Sequence, residues 1–309
     1  MSEKITKLID NMEKVIVGKR DVIVQVVSAM LCHGHVLIED VPGVGKTQLA
    51  ATLARSVEGK FNRIQLTPDI MPSDILGFSM INQETREFEY REGLAMCNFL
   101  LADEINRASP KAQSSLLEVM EEFKISIDGK THILPKPFMT LATQNPVETY
   151  GTYHLPEAQM DRFLMKISMG YPEFHEELQI LNQTEMGNPL NKIDSVLTIA
   201  DIIELQNEVK EVKVAASVKN YILRIVGATR HNEYIKLGAS PRGSIALHKA
   251  SKALAFIRGR DFVTPDDVRE IAVSVLAHRI MLTPKGKSVM FHQEAVIMDI
   301  LNSISVPML

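Results

Sequence analysis

The stretch His35-Val36-Leu37-Ile38-Glu39-Asp40-Val41-Pro42-Gly43-Val44-Gly45-Lys46-Thr47-Gln48-Leu49-Ala50-Ala51-Thr52-Leu53-Ala54 decides how the chain is read. An apolar, strand-like run enters a turn with two glycines, and a helical pattern follows the Lys-Thr pair. A glycine-rich turn between a strand and a helix N-terminus offers backbone N–H groups and the positive helix end to an anion. Gly43 and Gly45 let those N–H groups face phosphate oxygens, Lys46 supplies a cation to the terminal phosphates, and the Thr47 hydroxyl can ligate Mg²⁺. Pro42, Gly43, Val44, Gly45, Lys46, Thr47 and Gln48 are therefore the expected nucleotide-holding residues. Asp40 stands where the motif's first glycine falls.

Outward from this loop, residues 35–39, 63–66, 99–103, 138–143 and 164–168 read as five strands. They are apolar enough for a sheet covered on both faces, and helical patterns between several of them predict a mainly parallel sheet. The strand at 99–103 ends in Asp103-Glu104. Neighbouring side chains on a strand point opposite ways, so the two acids cannot share a role. Asp103 suits Mg²⁺, through water, and Glu104 suits polarising an attacking water. Thr143-Gln144-Asn145-Pro146 ends the next strand, which puts Asn145 on the same sheet edge, where open α/β sheets bind ligands. Asp128-Gly129 between Lys124–Ile127 and Lys130–Ile133 predicts one hairpin, and residues 79–81 and 87–90 flank a second.

From about residue 171 strand signals fade and helix starts recur. Thr198 with Asp201, Ser240-Pro241 and Thr264-Pro265 all place a capping side chain before a helix, as Ser109-Pro110 does earlier. The second part is expected to be an all-helical bundle, with a boundary near residues 171–195.

The 309 residues suggest about two domains. Lys plus Arg against Asp plus Glu is 34 − 38 = −4, which argues against nucleic acid as the main partner. Two cysteines, Cys32 and Cys97, permit no Cys-x-x-Cys metal site. No apolar run approaches the ~20 residues of a spanning helix, and the N-terminus is charged. The expectation is a soluble cytoplasmic protein.

Five motifs taken in order resemble the MoxR family of AAA+ ATPases: Pro42 to Thr47; Thr67-Pro68-Asp69-Ile70-Met71-Pro72-Ser73-Asp74-Ile75-Leu76-Gly77; Asp103-Glu104-Ile105-Asn106-Arg107-Ala108; Ala142 to Pro146; and Leu155-Pro156-Glu157-Ala158-Gln159-Met160-Asp161-Arg162-Phe163. His154 departs from that pattern, where the family usually has Pro. The resemblance implies a five-stranded AAA+ α/β domain over residues 1–171 with two hairpin insertions, and a helical lid over 172–309. It implies ATP and Mg²⁺ as ligands, Asn145 as sensor 1, Arg162 as an arginine finger toward a neighbouring subunit, and Arg242 as sensor 2. It further implies a homo-oligomeric, hexameric ring whose hairpins face the pore, a protein client, and a separate partner with a von Willebrand factor A domain. A nucleic-acid motor and a slow, nucleotide-gated scaffold are the alternatives. The partner of Arg107 is left open among nucleotide, neighbour and Glu104.

Overall fold

The computed structural model describes residues 3–146, 151–185 and 187–307. The chain starts with α1 (Glu3–Glu13), α2 (Arg20–Leu31), β1 (Val36–Glu39), α3 (Lys46–Ser56), β2 (Phe61–Gln65), α4 (Pro72–Leu76), β3 (Gly77–Ile81) and β4 (Phe88–Glu92). Next come β5 (Phe99–Asp103), α5 (Pro110–Glu122), β6 (Lys124–Ile127), β7 (Lys130–Ile133), β8 (Met139–Gln144), α6 (Glu157–Met160) and β9 (Met165–Ile167). The remainder is α7 (Phe174–Glu185), α8 (Ile199–Glu211), α9 (Ala216–Arg230), β10 (Ile235–Leu237), α10 (Pro241–Ile257), α11 (Pro265–Leu276), β11 (Met281–Leu282), α12 (Pro284–Val289) and α13 (Gln293–Ser303).

The five expected strands form one sheet in the order β2-β5-β8-β1-β9, with every pairing parallel. Residues of β5 are buried from end to end, because helices cover both faces. Alternate side chains feed two cores. Val36 and Ile38 pack with α1, α2, α3 and the C-terminal helices, whereas Leu37, Leu100 and Ala102 pack with α4 and α5. β1, β5 and β8 run in register, so the chain leaves all three on the same edge.

The expected hairpins form as β3–β4 and β6–β7, the latter through Asp128 and Gly129, both at positive φ. They touch one another: Tyr90 stacks on His132 with ring centroids 3.8 Å apart. His35 is buried against this region. Its Nε2–H donates to the Met120 carbonyl, its Nδ1 accepts from Thr140 N–H, and burial pushes its pKa down to about 4. The ring is a neutral spacer.

The helix starts follow the cap chemistry. Thr198 accepts from Asp201 N–H and Thr264 from Asp267 N–H, each with the acid reaching back to the cap; Ser240 accepts from Arg242 N–H and Ser109 from Ala112 N–H. Such caps contribute about 1 kcal/mol each. The C-terminal part is helical, but it also carries the antiparallel pair β10–β11, which an all-helical expectation did not include. Strands of three and two residues are too short to show a period of two. The reading also did not single out α1. Its Ile5, Leu8, Ile9 and Met12 are buried at helical spacing, and α2 beside it packs on α8 and α10, where Gln206 donates to the Met30 carbonyl at 2.7 Å.

A buried arginine pins the lid to the sheet. The Arg279 side chain is 3% exposed, and its Nε donates to Asp161 Oδ1 at 2.8 Å. Its other N–H groups reach the carbonyls of Phe163 and Leu164, and Asp161 Oδ2 accepts from Ser240 at 2.9 Å. Burial pulls the Arg279 pKa down to about 10 against the pull of Asp161, so the guanidinium stays charged at neutral pH. Removing one member of such a pair strands a buried charge, so Asp161→Ala should cost roughly 3–5 kcal/mol in urea unfolding. A loss under about 1 kcal/mol would mean that the pair does not hold the lid.

Candidate functional site

The cleft at the sheet edge measures about 250 Å³ and is lined by Pro42, Gly43, Gly45, Lys46, Thr47, Gln48, Arg63, Gln65, Asp103, Glu104, Thr143 and Asn145. Most residues expected from the two nucleotide motifs and Asn145 thus meet in one place. Gly43 and Gly45 sit at φ +89° and +95°, the left-handed region that L side chains rarely adopt. At Gly43 a Cβ would meet nothing within 4 Å, so backbone conformation and not space selects glycine there. Gly45 caps α3, and Lys46 Nζ reaches back to the Asp40 carbonyl at 2.7 Å.

The departure at Asp40 has a structural explanation. Its Oδ2 accepts from Met169 N–H (2.7 Å), Gly170 N–H (2.8 Å) and the Ser168 hydroxyl (3.0 Å), and Oδ1 from Val41 N–H (2.9 Å). Burial disfavours the charge, but these four donors outweigh it and hold the carboxyl below the ordinary aspartate range. Asp40 therefore ties the loop after β1 to the chain leaving β9.

Asp103, on the last position of β5, accepts from Arg63 Nε at 2.8 Å and from the Thr143 hydroxyl at 3.0 Å. Thr143 Oγ1 in turn accepts from Glu104 N–H at 2.9 Å, so β8 orients both acids. Glu104 has φ 57° and ψ 52°. A left-handed glutamate costs on the order of 1–3 kcal/mol and persists only where its surroundings impose it. Its Oε2 accepts from Arg107 Nη1 at 3.0 Å, one of the contacts expected for Arg107. Asn145 is buried just past β8.

The donor set fits Mg²⁺. Thr47 and Asp103 line one cleft and are hard oxygen ligands, and no group of three or more His, Cys, Asp or Glu able to hold a metal occurs among the described residues. A cation that keeps waters and shares phosphate oxygens needs no more from the protein.

A second, more apolar cleft of about 150 Å³ adjoins the loop at Gly43, Gly45 and Gln48. Val15, Ile16 and Val17 line it with Met169, Pro172 and, from α7, Ile180, Gln183 and Thr184. The sequence reading missed these residues. Their only signal is a short apolar run before Gly18, which resembles any core segment.

Arg162 and Arg242 do not line either cleft. Both grip Glu121 on α5: Arg162 Nη1 lies 2.6 Å from Oε2 and Arg242 Nη2 2.5 Å from Oε1. They line a separate cleft of about 200 Å³, with His33, Ile245, Lys249 and others. His154 is exposed, in keeping with a surface change.

Comparison with known proteins agrees with this fold. A family model described as ATPase family associated with various cellular activities (AAA) matches residues 35–165, and one described as AAA lid domain matches residues 227–300. The chain is 50% identical over 301 residues to Uncharacterized protein YeaC of Bacillus subtilis, covering 97% of this chain and 94% of that one. It is 42% identical over 310 residues to Chaperone MoxR1 of Mycobacterium tuberculosis, covering 97% and 82%. A solved structure of a candidate ATPase from Cytophaga hutchinsonii superposes with a TM-score of 0.92 at 39% identity, covering 99% and 95%.

Asp40→Asn removes a charged acceptor from four donors and should cost about 1–3 kcal/mol at neutral pH. Because the folded pKa lies below the unfolded value of about 3.9, this stabilisation is present above pH ~4 and is lost as pH falls through the folded pKa. Chemical denaturation of both proteins should show a constant gap above pH ~4 that narrows below it. A gap that widens on acidification would contradict the assignment.

Proposed function

Because this chain belongs to the MoxR family of AAA+ ATPases, we propose that it hydrolyses Mg-ATP in a ring of its own copies and uses the cycle to remodel or mature a protein client. The observation that carries this reading is the division of the site. The phosphate loop, both acids and Asn145 share one cleft, while Arg162 and Arg242 are held together on Glu121 outside it. Two guanidinium groups on one carboxylate suit later delivery to a phosphate of a neighbouring copy.

In this reading the apolar cleft receives the base, and the loop N–H groups with Lys46 receive the phosphates. Thr47 and Asp103 would hold Mg²⁺, which when bound neutralises charge on the terminal phosphates. Glu104 polarises the attacking water once it parts from Arg107, and Asn145 orients that water. Arg162 and Arg242 leave Glu121 for the neighbour's γ-phosphate, where developing charge attracts them more strongly.

The client-directed part rests on a relative named as a chaperone and on the hairpin pair. Phe78, Ile81 and Phe88 on β3–β4 are exposed apolar side chains, as a surface gripping protein segments requires. A hexameric ring, a separate partner bearing a von Willebrand factor A domain and a cytoplasmic location complete the proposal. No helix among the described residues is long and apolar enough to cross a membrane.

Turnover per subunit should rise with protein concentration through the assembly range. Arg162→Ala should keep nucleotide affinity and lose about 10³-fold or more in turnover, since a finger is worth that in related phosphoryl transfers. Lys46→Ala should lose nucleotide affinity, and Glu104→Gln should bind ATP and retain it. Steady-state hydrolysis with equilibrium nucleotide binding reads all three. A concentration-independent rate that survives Arg162→Ala would overturn catalysis between subunits.

A further inference from the structure

α7 poses a packing problem. Among its described residues only Glu176 is buried, yet Phe174, Leu178 and Leu181 line one outward face at helical spacing. Phe174 is 86% exposed, and Tyr171 just before the helix is exposed beside it. An isolated helix of 12 residues is marginal in water, so a bare apolar stripe on such a helix points to a missing partner. The stripe is also acidic. Glu173, Glu177 and Glu185 are exposed, and no Lys or Arg occurs from Phe174 to Glu185.

The opposite character appears at the arginine cleft. On α10, Arg242, Ile245 and Lys249 are exposed at spacings of three and four, a single helix face. His33 lies beside it. Partial burial, then the charges of Lys210, Lys249 and Lys136, hold its imidazole below the ordinary range.

We propose that the α10 face of one copy, led by Ile245 and Lys249, docks on the α7 stripe of the next copy, Ile245 against Leu178 and Leu181 and the basic residues against Glu173 and Glu177. This rests on the reading that Arg162 and Arg242 serve a neighbour's nucleotide. The inner side of α7 walls the cleft that adjoins the phosphate loop. A neighbour that brings Arg242 to the phosphates therefore carries the rest of α10 against the outer rim of that cleft, where the stripe lies. The contact joins two different surfaces of one chain, the kind that closes into rings. Charge of opposite sign on the two surfaces sets its direction.

Charge reversal with exchange tests it. Glu173→Lys/Glu177→Lys and Lys210→Glu/Lys249→Glu alter exposed side chains, and each double variant should raise the concentration for half-assembly by tenfold or more in sedimentation velocity with a non-hydrolysable ATP analogue. An equimolar mixture of the two should return to near wild-type assembly, because alternating copies restore opposite charge at every contact. Leu178→Asp, read in the same way, should weaken assembly without exchange rescue. Unchanged assembly of these variants, or a mixture no better than its components, would overturn the docking proposal. Arg162→Ala measured alongside separates the two ideas: normal turnover there would remove the underlying reading, whereas lost turnover with unaffected α7 variants would remove only this surface.

Discussion

The structure depends on three parallel strands ending together. β1, β8 and β5 are adjacent and in register, so the phosphate loop, Asn145 and the two acids leave the sheet at one edge. Their side chains are then fixed by a short polar chain. Thr143 on β8 donates to Asp103 and accepts from Glu104 N–H, which holds one acid at the strand end and turns the next into the left-handed region. Asp40 does the same for the loop, with its carboxylate spanning from β1 to the residues after β9. A residue that breaks the formal motif thus braces it.

The same sheet keeps the arginines away. Arg162 follows α6 and Arg242 opens α10, and the Asp161–Arg279 pair with the Ser240 contact ties the end of α6 to the start of α10. Glu121 completes the arrangement by accepting both guanidinium groups. Each copy therefore presents an anion cleft on one side and paired cations on another. Arg162 and Arg242 line the second of these clefts and not the first. In the proposed cycle this separation would make turnover depend on assembly; in the single chain Glu104 is paired with Arg107.

What the sequence disclosed follows from how local each signal is. Five strands, the Asp128-Gly129 turn and the Ser/Thr caps are set by neighbours within a few residues, and all are present. Asp103, Glu104 and Asn145 could be placed on one edge because parallel topology dictates it. The apolar cleft beside the loop could not, since Val15 to Val17, Met169 and Ile180 come from three distant segments. Nor could the shared grip on Glu121, since nothing along the chain links Arg162, Arg242 and α5. The β10–β11 pair escaped because its strands are shorter than the period that reveals a strand.

The central claim is that one copy's cations complete another copy's cleft, and subunit mixing tests it most directly. Arg162→Ala and Lys46→Ala copies are each deficient on opposite sides of that contact. Mixed in equal amounts, they should regain hydrolysis approaching roughly a quarter of wild-type turnover per subunit, because random neighbours pair an intact loop with an intact arginine that often. A mixture no more active than the mean of its two components would contradict the account.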